Sequence, residues 1–144
     1  MKKFKIKKIL TVILISLIAA ILAGIYGIIH DHITYAISPE YYTKFKFIQF
    51  NLANENNIDK IKFPRIFVSI VGFLATWWFG LVLGFILGFF NLIQTSWQNL
   101  FKVSFNALLI AILVTFITGM LGLFYGFFFL SHQSRSNFEE WFIP

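Results

Sequence analysis

Residues 66–90 of the chain read IFVSIVGFLATWWFGLVLGFILGFF and contain no charged side chain. Two further stretches without Asp, Glu, Lys or Arg occupy residues 9–29 and 105–130. A helix needs roughly 20 predominantly apolar residues to cross a bilayer, so each stretch is long enough to span one. No water-soluble fold could bury three such segments within 144 residues. The sequence therefore predicts an all-α integral membrane bundle with three transmembrane helices.

The overall composition agrees with a membrane protein. Hydrophobic residues make up 58% of the chain and charged residues 12%, against about 25% charged in ordinary soluble domains. The longest polar stretch, residues 30–65, has only the size of a loop, so we predict a single membrane domain over residues 1–144. Cysteine is absent, which excludes disulfides, thiolate metal sites and cysteine nucleophiles.

Basic residues next to the first apolar stretch predict the orientation of the chain. Five lysines precede this stretch, namely Lys2, Lys3, Lys5, Lys7 and Lys8. Beside a span, such a cluster fixes topology and meets anionic lipid, which argues against nucleic acid as a partner. The abundance of Lys, Ile, Asn and Phe indicates an AT-rich bacterial genome. We therefore expect a bacterial inner (plasma) membrane protein whose N-terminus is cytoplasmic.

This orientation places residues 30–65 and the tail outside the cell. The outer loop then carries more basic residues than the inner connection: it holds Lys44, Lys46, Lys60, Lys62 and Arg65, whereas the connection holds only Lys102. The first helix nevertheless usually dominates orientation, and the prediction follows that rule.

The first 24 residues also imitate a secretory signal, since an apolar run follows the lysines and small residues follow at Ala19, Ala20 and Ala23. A signal sequence has a 7–15-residue apolar core that ends at an A-x-A-like site. Here the apolar run continues to Ile29, and Ile21 stands three residues before the cleavage point after Ala23. We therefore predict an uncleaved anchor.

Small residues recur at helical spacing in the later spans, where they allow backbones to approach closely. The predicted packing positions are Gly72, Gly80, Gly84, Gly88, Gly119, Gly122 and Gly126. One interpretation is packing within a compact three-helix bundle. The other is homo-oligomerisation through Gly80, Gly84 and Gly88, and a pore would require such an oligomer.

The loop contains one helix signal, Ser38-Pro39-Glu40. Serine suits the N-cap, proline the first helical position and an acid the first turn. Apolar residues then follow at helical spacing, namely Tyr41, Phe45, Ile48 and Leu52. We predict an extracytoplasmic amphipathic helix lying in the membrane interface. The alternation Lys44-Phe45-Lys46-Phe47 leaves a strand as the alternative.

Three histidines and an aspartate form the candidate chemical site. His30, Asp31 and His32 follow the first span and His132 follows the third, so the predicted topology puts all four at one membrane face. Imidazoles are common metal ligands and a carboxylate can orient them, so these residues could hold a divalent transition metal such as Zn²⁺, Cu²⁺ or Fe²⁺. However, His30 and His32 point to opposite sides of a helix unless the helix has already ended. The simpler interpretation is a set of polar residues at the water boundary.

The spans themselves contain no ionisable carboxylate, lysine or arginine, although proton relays and ion-coupled transporters rely on such groups. The sequence also lacks nucleotide-binding and hydrolase motifs. It therefore favours a non-enzymatic accessory or structural membrane subunit, with the lipid bilayer and either a second copy or another membrane protein as partners. The alternatives are a metal- or small-molecule-handling protein that uses the His/Asp cluster and a homo-oligomeric channel packed through the glycine stripe.

The segment His30-Asp31-His32-Ile33-Thr34-Tyr35, followed by Ser38 to Phe47, resembles a family of small multi-pass bacterial membrane proteins. These proteins are often labelled only as signal-peptide-containing, and the resemblance implies no activity. It continues loosely to Trp141-Phe142-Ile143-Pro144. The family continues past this tail to a fourth apolar helix, so either this chain is naturally short or that helix is missing.

Overall fold

The structure, a computed structural model, describes residues 2–54 and 61–134. All regular structure in these residues is helical, which confirms the predicted all-α class. Three helical segments are long and apolar enough to span a membrane: Lys5–Ile37, Pro64–Ile93 and Trp97–His132. The tail Trp141–Pro144, which enters the resemblance, lies outside the described residues.

The described helices are three long ones and several short ones. The long ones are α1 (Lys2–Ile37), α4 (Pro64–Phe90) and α5 (Trp97–Phe128). Between α1 and α4 lie α2 (Pro39–Tyr41), a π-helical turn (Tyr42–Lys46) and α3 (Phe47–Gln49). Short 3-10 turns follow α4 at Asn91–Ile93 and α5 at Leu130–His132.

Helix α1 continues beyond the predicted span end at Ile29 and stops at Ile37. The reason is Pro39, which lacks an N–H and disfavours helical geometry in the preceding residue. Ser38 accordingly has φ −138° and ψ 81°, while its N–H donates to the Thr34 carbonyl at 2.9 Å and closes the last turn. The His30-Asp31-His32 motif is therefore inside a helix.

The segment Pro39–Phe50, which we call the linker segment, is helical rather than a strand. Its side chains do not follow simple α-helical spacing, because the π-helical turn makes the Phe47 N–H donate to the Tyr42 carbonyl, five residues back. This spacing puts Tyr42 and Phe47 on one face, where they are 1% and 0% exposed. They form a core cluster with Val68 and Val71 of α4. Ser38 occupies the predicted N-cap position, but its side chain makes no capping hydrogen bond.

Helices α1 and α4 pack as an antiparallel pair through small residues. A Cβ added to Gly72 would lie 2.5 Å from the Gly27 carbonyl oxygen, and one added to Gly88 would lie 3.0 Å from Val12 Cγ1. Gly80 and Gly84 face the same helix, against Ala19 and its neighbours. Such close backbone approach supplies the dispersion contacts that hold helices together in lipid. The Gly80/Gly84/Gly88 face is thus occupied by α1 within one chain.

The turn between α4 and α5 is held by side-chain hydrogen bonds. Ser96 caps α5, since its Oγ accepts from the Asn99 N–H at 3.1 Å. Asn91 donates from Nδ2 to the Leu87 carbonyl at 2.8 Å and to Ser104 Oγ at 3.2 Å. Helix α5 consequently starts at Trp97 rather than at residue 105, the predicted start of the third span.

The residues group into two compact units, Met1–Leu109 and Ile110–Pro144, so the single domain stays a prediction. In the first unit, α5 buries Leu100, Ser104 and Leu108. In the second unit, Gly119 is exposed, and a Cβ added to Gly122 or Gly126 would meet nothing within 4 Å.

Candidate functional site

A network of polar side chains joins the C-terminal part of α1 to the start of α4. His32 Nε2 lies 2.9 Å from Ser69 Oγ, and His32 Nδ1 lies 3.4 Å from Arg65 Nη1. Ser69 Oγ also donates to the Arg65 carbonyl at 3.1 Å. The antiparallel packing of the two helices brings these residues together, although 33 and 37 positions separate His32 from its partners.

This network assigns the proton on the His32 ring. A guanidinium can only donate, so Nδ1 must accept from Arg65 and the ring proton must sit on Nε2. The Nε2–H then donates to Ser69 Oγ, whose own hydrogen is used by the Arg65 carbonyl. Both ring nitrogens of His32 are thereby engaged, and the lone pair that a metal ion would need faces a cation.

His30 and Asp31 have different partners from His32. His30 Nδ1 lies 3.2 Å from Asp31 Oδ1, with the two side chains 54% and 15% exposed. Tyr26 stacks on the His30 ring with a centroid distance of 6.1 Å. Asp31 also lies close enough to Tyr42 of the linker segment for its charge to act on the Tyr42 hydroxyl. Asp31 therefore interacts with both His30 and the linker segment.

Burial of the Tyr42 ring is the main reason that the pKa of Tyr42 is raised well above its ordinary value, and the charge of Asp31 raises it further. The neutral hydroxyl is favoured because its ionisation would place a negative charge in a buried site near Asp31. The Tyr35 ring packs edge-on against Tyr42 at 5.5 Å, while the Arg65 guanidinium lies over Tyr35 at 5.6 Å. These aromatic contacts connect the two polar groups.

The proposed metal ligands do not converge in the described residues. Helix α1 continues through His30 and His32, so the condition for a shared ligand, an ended helix, is not met. His132 lies in the 3-10 turn after α5, with Nδ1 3.2 Å from Ser131 Oγ. Across residues 2–54 and 61–134, no three His, Cys, Asp or Glu side chains are grouped so as to hold a metal ion. The divalent transition metal at His30, Asp31, His32 and His132 stays a prediction.

The sequence pattern indicates His30, Asp31 and His32 but not the residues that contact them. Arg65, Ser69 and Tyr42 lie in the linker segment or in α4, and nothing in the local sequence marks them as belonging with the histidines. The one available signal was the spacing of Tyr42 and Phe47, which fits a π-helical turn. The arrangement that results can fasten α1, the linker segment and α4 to one another.

The coupling of His32 to Arg65 can be measured. We expect a double-mutant cycle of His32→Ala and Arg65→Ala to give a coupling of about 0.5–1 kcal/mol, because the hydrogen bond is charge-assisted but Arg65 is exposed. The free energy of unfolding would be followed in mixed detergent–SDS micelles. A cycle of His30→Ala with Arg65→Ala is the matched control and should show no coupling. Equal couplings in the two cycles would contradict the assigned network.

Lys8 fastens the opposite end of the α1–α4 pair. Its Nζ donates to the Leu92 carbonyl at 3.0 Å and to the Gln94 carbonyl. These carbonyls follow the C-terminus of α4, where the helix dipole favours a cation. A lysine predicted only to orient the chain therefore also stabilises the turn between α4 and α5.

We expect Lys8→Met to lower the free energy of unfolding by about 1–3 kcal/mol, because two carbonyls lose a charged donor. Lys7→Met is the matched control: it removes the same charge one residue away, at an exposed side chain, and should change stability little. Thermal unfolding in a mild detergent would compare the two variants. Equal losses would mean that charge, rather than the Leu92 and Gln94 contacts, sets the effect.

The chain was also compared with known protein families, with curated proteins and with solved structures, and nothing matched it. The resemblance to the small multi-pass bacterial family therefore stays a prediction.

Proposed function

We propose that this chain is a non-enzymatic integral membrane protein that serves as an accessory or structural subunit. Its place would be the bacterial inner membrane, with the N-terminus in the cytoplasm. The lysines at the start of α1 support this orientation. The three apolar helices support the bilayer as the surroundings.

The α1–α4 pair would be the rigid part of this subunit. Small residues along the pair bring the two backbones into contact, and Thr76 Oγ1 donates to the Ala23 carbonyl at 2.8 Å in its middle. Lys8 fastens one end and the His32–Arg65 contact the other. A pair held at both ends and in the middle suits a scaffold better than a moving element.

The observation that carries the proposal is the open glycine face of α5. Gly122 and Gly126 have nothing within 4 Å of an added Cβ, unlike the glycines of α4. The two glycines are four residues apart in α5 and so lie on one face of this helix. We propose that a transmembrane helix of a partner subunit packs here, since small residues admit close helix approach.

The test is the mass of the complex extracted from the native membrane in mild detergent. We expect the wild-type chain to migrate with a partner in stoichiometric amount and Gly122→Leu/Gly126→Leu to migrate alone. Ile117→Phe adds bulk on the opposite side of α5 and should keep the partner. A wild-type chain that migrates alone, or a partner retained by the glycine double variant, would contradict the proposal.

A cross-linking experiment distinguishes a second copy from a different subunit. A Gly126→Cys variant introduces the only cysteine of the chain, so oxidation yields a covalent dimer if two copies meet at this face. A homo-oligomer through Gly80, Gly84 and Gly88 is a different proposal and would require α1 to leave α4, because those glycines contact α1.

A further inference from the structure

The linker segment presents three chemically distinct faces. The first is the buried face of Tyr42 and Phe47, which packs on Val68 and Val71. The second is polar: Glu40 Oε2 and Lys44 Nζ lie 3.6 Å apart, with side chains 80% and 56% exposed. Both charged groups are well exposed, as is usual for a surface ion pair.

The third face combines aromatic rings with a cation. The Tyr41 and Phe45 rings stack at 5.7 Å, and both are more than a third exposed. The Lys46 ammonium lies over them, 5.6 Å from the Tyr41 centroid and 5.7 Å from the Phe45 centroid. The Phe50 ring lies 5.8 Å from the same ammonium. We call Tyr41, Phe45 and Lys46 the aromatic–lysine face.

Among the described residues from Asp31 to Arg65, basic side chains outnumber carboxylates. Of the carboxylates in the described residues, Glu40 pairs with Lys44 and Asp31 with His30. Within that part of the chain, Lys46, Lys62 and Arg65 pair with no carboxylate. An anionic partner therefore complements this end of the α1–α4 pair better than a neutral one.

The position of the linker segment limits what can cover the aromatic–lysine face. The segment joins the end of α1 directly to the region that leads into α4, and both helices are candidate spans. If both span, the segment lies at the bilayer surface, where aromatic rings and lysines are favoured. Water would leave the two stacked rings exposed, whereas the headgroup region accepts rings and ammonium together.

We propose that Tyr41, Phe45 and Lys46 contact the headgroups of anionic phospholipids. The rings insert at the level of the glycerol and upper acyl chains, and the Lys46 ammonium donates to a lipid phosphate. The Glu40–Lys44 pair remains in water on another side of the same segment. This inference rests on the proposed membrane insertion and adds the lipid class and the residues that recognise it.

Spin labels can locate each face, because the chain has no cysteine and every introduced cysteine is unique. Phe45→Cys, Lys44→Cys and Phe79→Cys would be labelled in phosphatidylcholine–phosphatidylglycerol liposomes. Collision with oxygen reports lipid and collision with a soluble nickel chelate reports water. We expect the label at position 79, on an exposed side of α4, to be deep, that at position 45 to be interfacial and that at position 44 to be in water.

The three labels separate the two possible failures. If the label at position 79 is deep but the label at position 45 matches that at position 44, membrane insertion stands and the lipid contact is overturned. If the label at position 79 itself lies in water, insertion fails and this inference fails with it.

Lipid selectivity tests the role of Lys46. A fluorophore at Phe45→Cys would be quenched by spin-labelled phosphatidylglycerol or by spin-labelled phosphatidylcholine at equal content. One lysine near the surface strengthens attraction to an anionic membrane about fivefold. We expect Lys46→Gln to lower the quenching ratio towards one and Lys44→Gln to leave it largely unchanged. A ratio near one in the unsubstituted background, or equal effects of the two substitutions, would overturn the anionic preference.

Discussion

Gly80→Ala is expected to lower the free energy of unfolding by about 1–3 kcal/mol, the usual cost of overpacking a closely packed site. A Cβ at this position would overlap the Ala19 carbonyl oxygen and lie 2.5 Å from Ala23 Cβ. Neither atom can rotate away, because one is backbone and the other is fixed directly to it. The two helices must therefore separate, which also weakens the hydrogen bond from Thr76 Oγ1 to the Ala23 carbonyl.

Gly122→Ala is the matched control for this substitution. Alanine favours a helix by about 1 kcal/mol over glycine, and this gain applies at both positions. Because an added Cβ at Gly122 meets nothing within 4 Å, only the propensity gain remains there, so stability should stay the same or rise. The free energy of unfolding of each variant would be measured by circular dichroism during SDS titration of mixed micelles. The difference between the two variants gives the cost of overpacking at Gly80.

A third substitution gives the expected order of effects. The Cβ of Gly24→Ala would meet the side chain of Phe73, which is 38% exposed and can turn outward. Its destabilisation should therefore fall between those of Gly80→Ala and Gly122→Ala. If all three variants unfold at the same SDS fraction, the close contact of α1 with α4 is contradicted.

The glycine pattern shows what helical spacing can and cannot predict. Spacing identifies which side of a helix is lined by small residues, and both α4 and α5 have glycines at such a spacing. The identity of the neighbour is a tertiary property: Gly80 meets Ala19, whereas Gly122 has open space. A sequence cannot separate these cases, because the same periodicity serves packing within the chain and packing with another chain.

The bounds of α4 lie close to those of the predicted second span, whereas α1 runs well past the predicted first span. Helix α4 extends from Pro64 to Phe90, and the span was predicted over residues 66–90. Helix α1 instead continues through the polar residues 30–32 until Pro39 stops it. Charge marks where lipid ends, and a helix can extend into water beyond that point.

The polar network depends on register, which local sequence does not encode. The contacts of Gly72 with Gly27 and of Gly88 with Val12 fix how α4 lies along α1. Only that register brings Arg65 and Ser69 to His32. The histidine motif could thus be found from the sequence. The position of the proton on the His32 ring follows only from the contacts that form when α1 packs against α4.

Phe47→Ala is expected to release the linker segment from α4 at a cost of about 3–5 kcal/mol, the usual loss for truncating a buried phenylalanine. The Phe47 ring is 0% exposed and packs edge-on against Phe67 at 5.6 Å and Tyr42 at 6.0 Å. The carbonyl of Phe47 also accepts from the Leu52 and Ala53 N–H groups at 2.8 and 3.2 Å. Loss of the ring removes the support of this turn. Hydrogen exchange of the linker amides should accelerate by a hundredfold or more, since about 1.4 kcal/mol corresponds to tenfold.

Phe45→Ala is the matched control for Phe47→Ala, because the Phe45 ring is not part of the buried core. In a pure α-helix, Phe45 belongs to the apolar stripe with Tyr41 and Ile48, so α-helical spacing alone would place Phe45 on the apolar face. The π-helical turn instead selects Tyr42 and Phe47 for the core and leaves Phe45 36% exposed. In detergent, Phe45→Ala should therefore change amide exchange little. Because both variants remove the same ring from one segment, comparable exchange rates would mean that the five-residue spacing does not determine which face is buried.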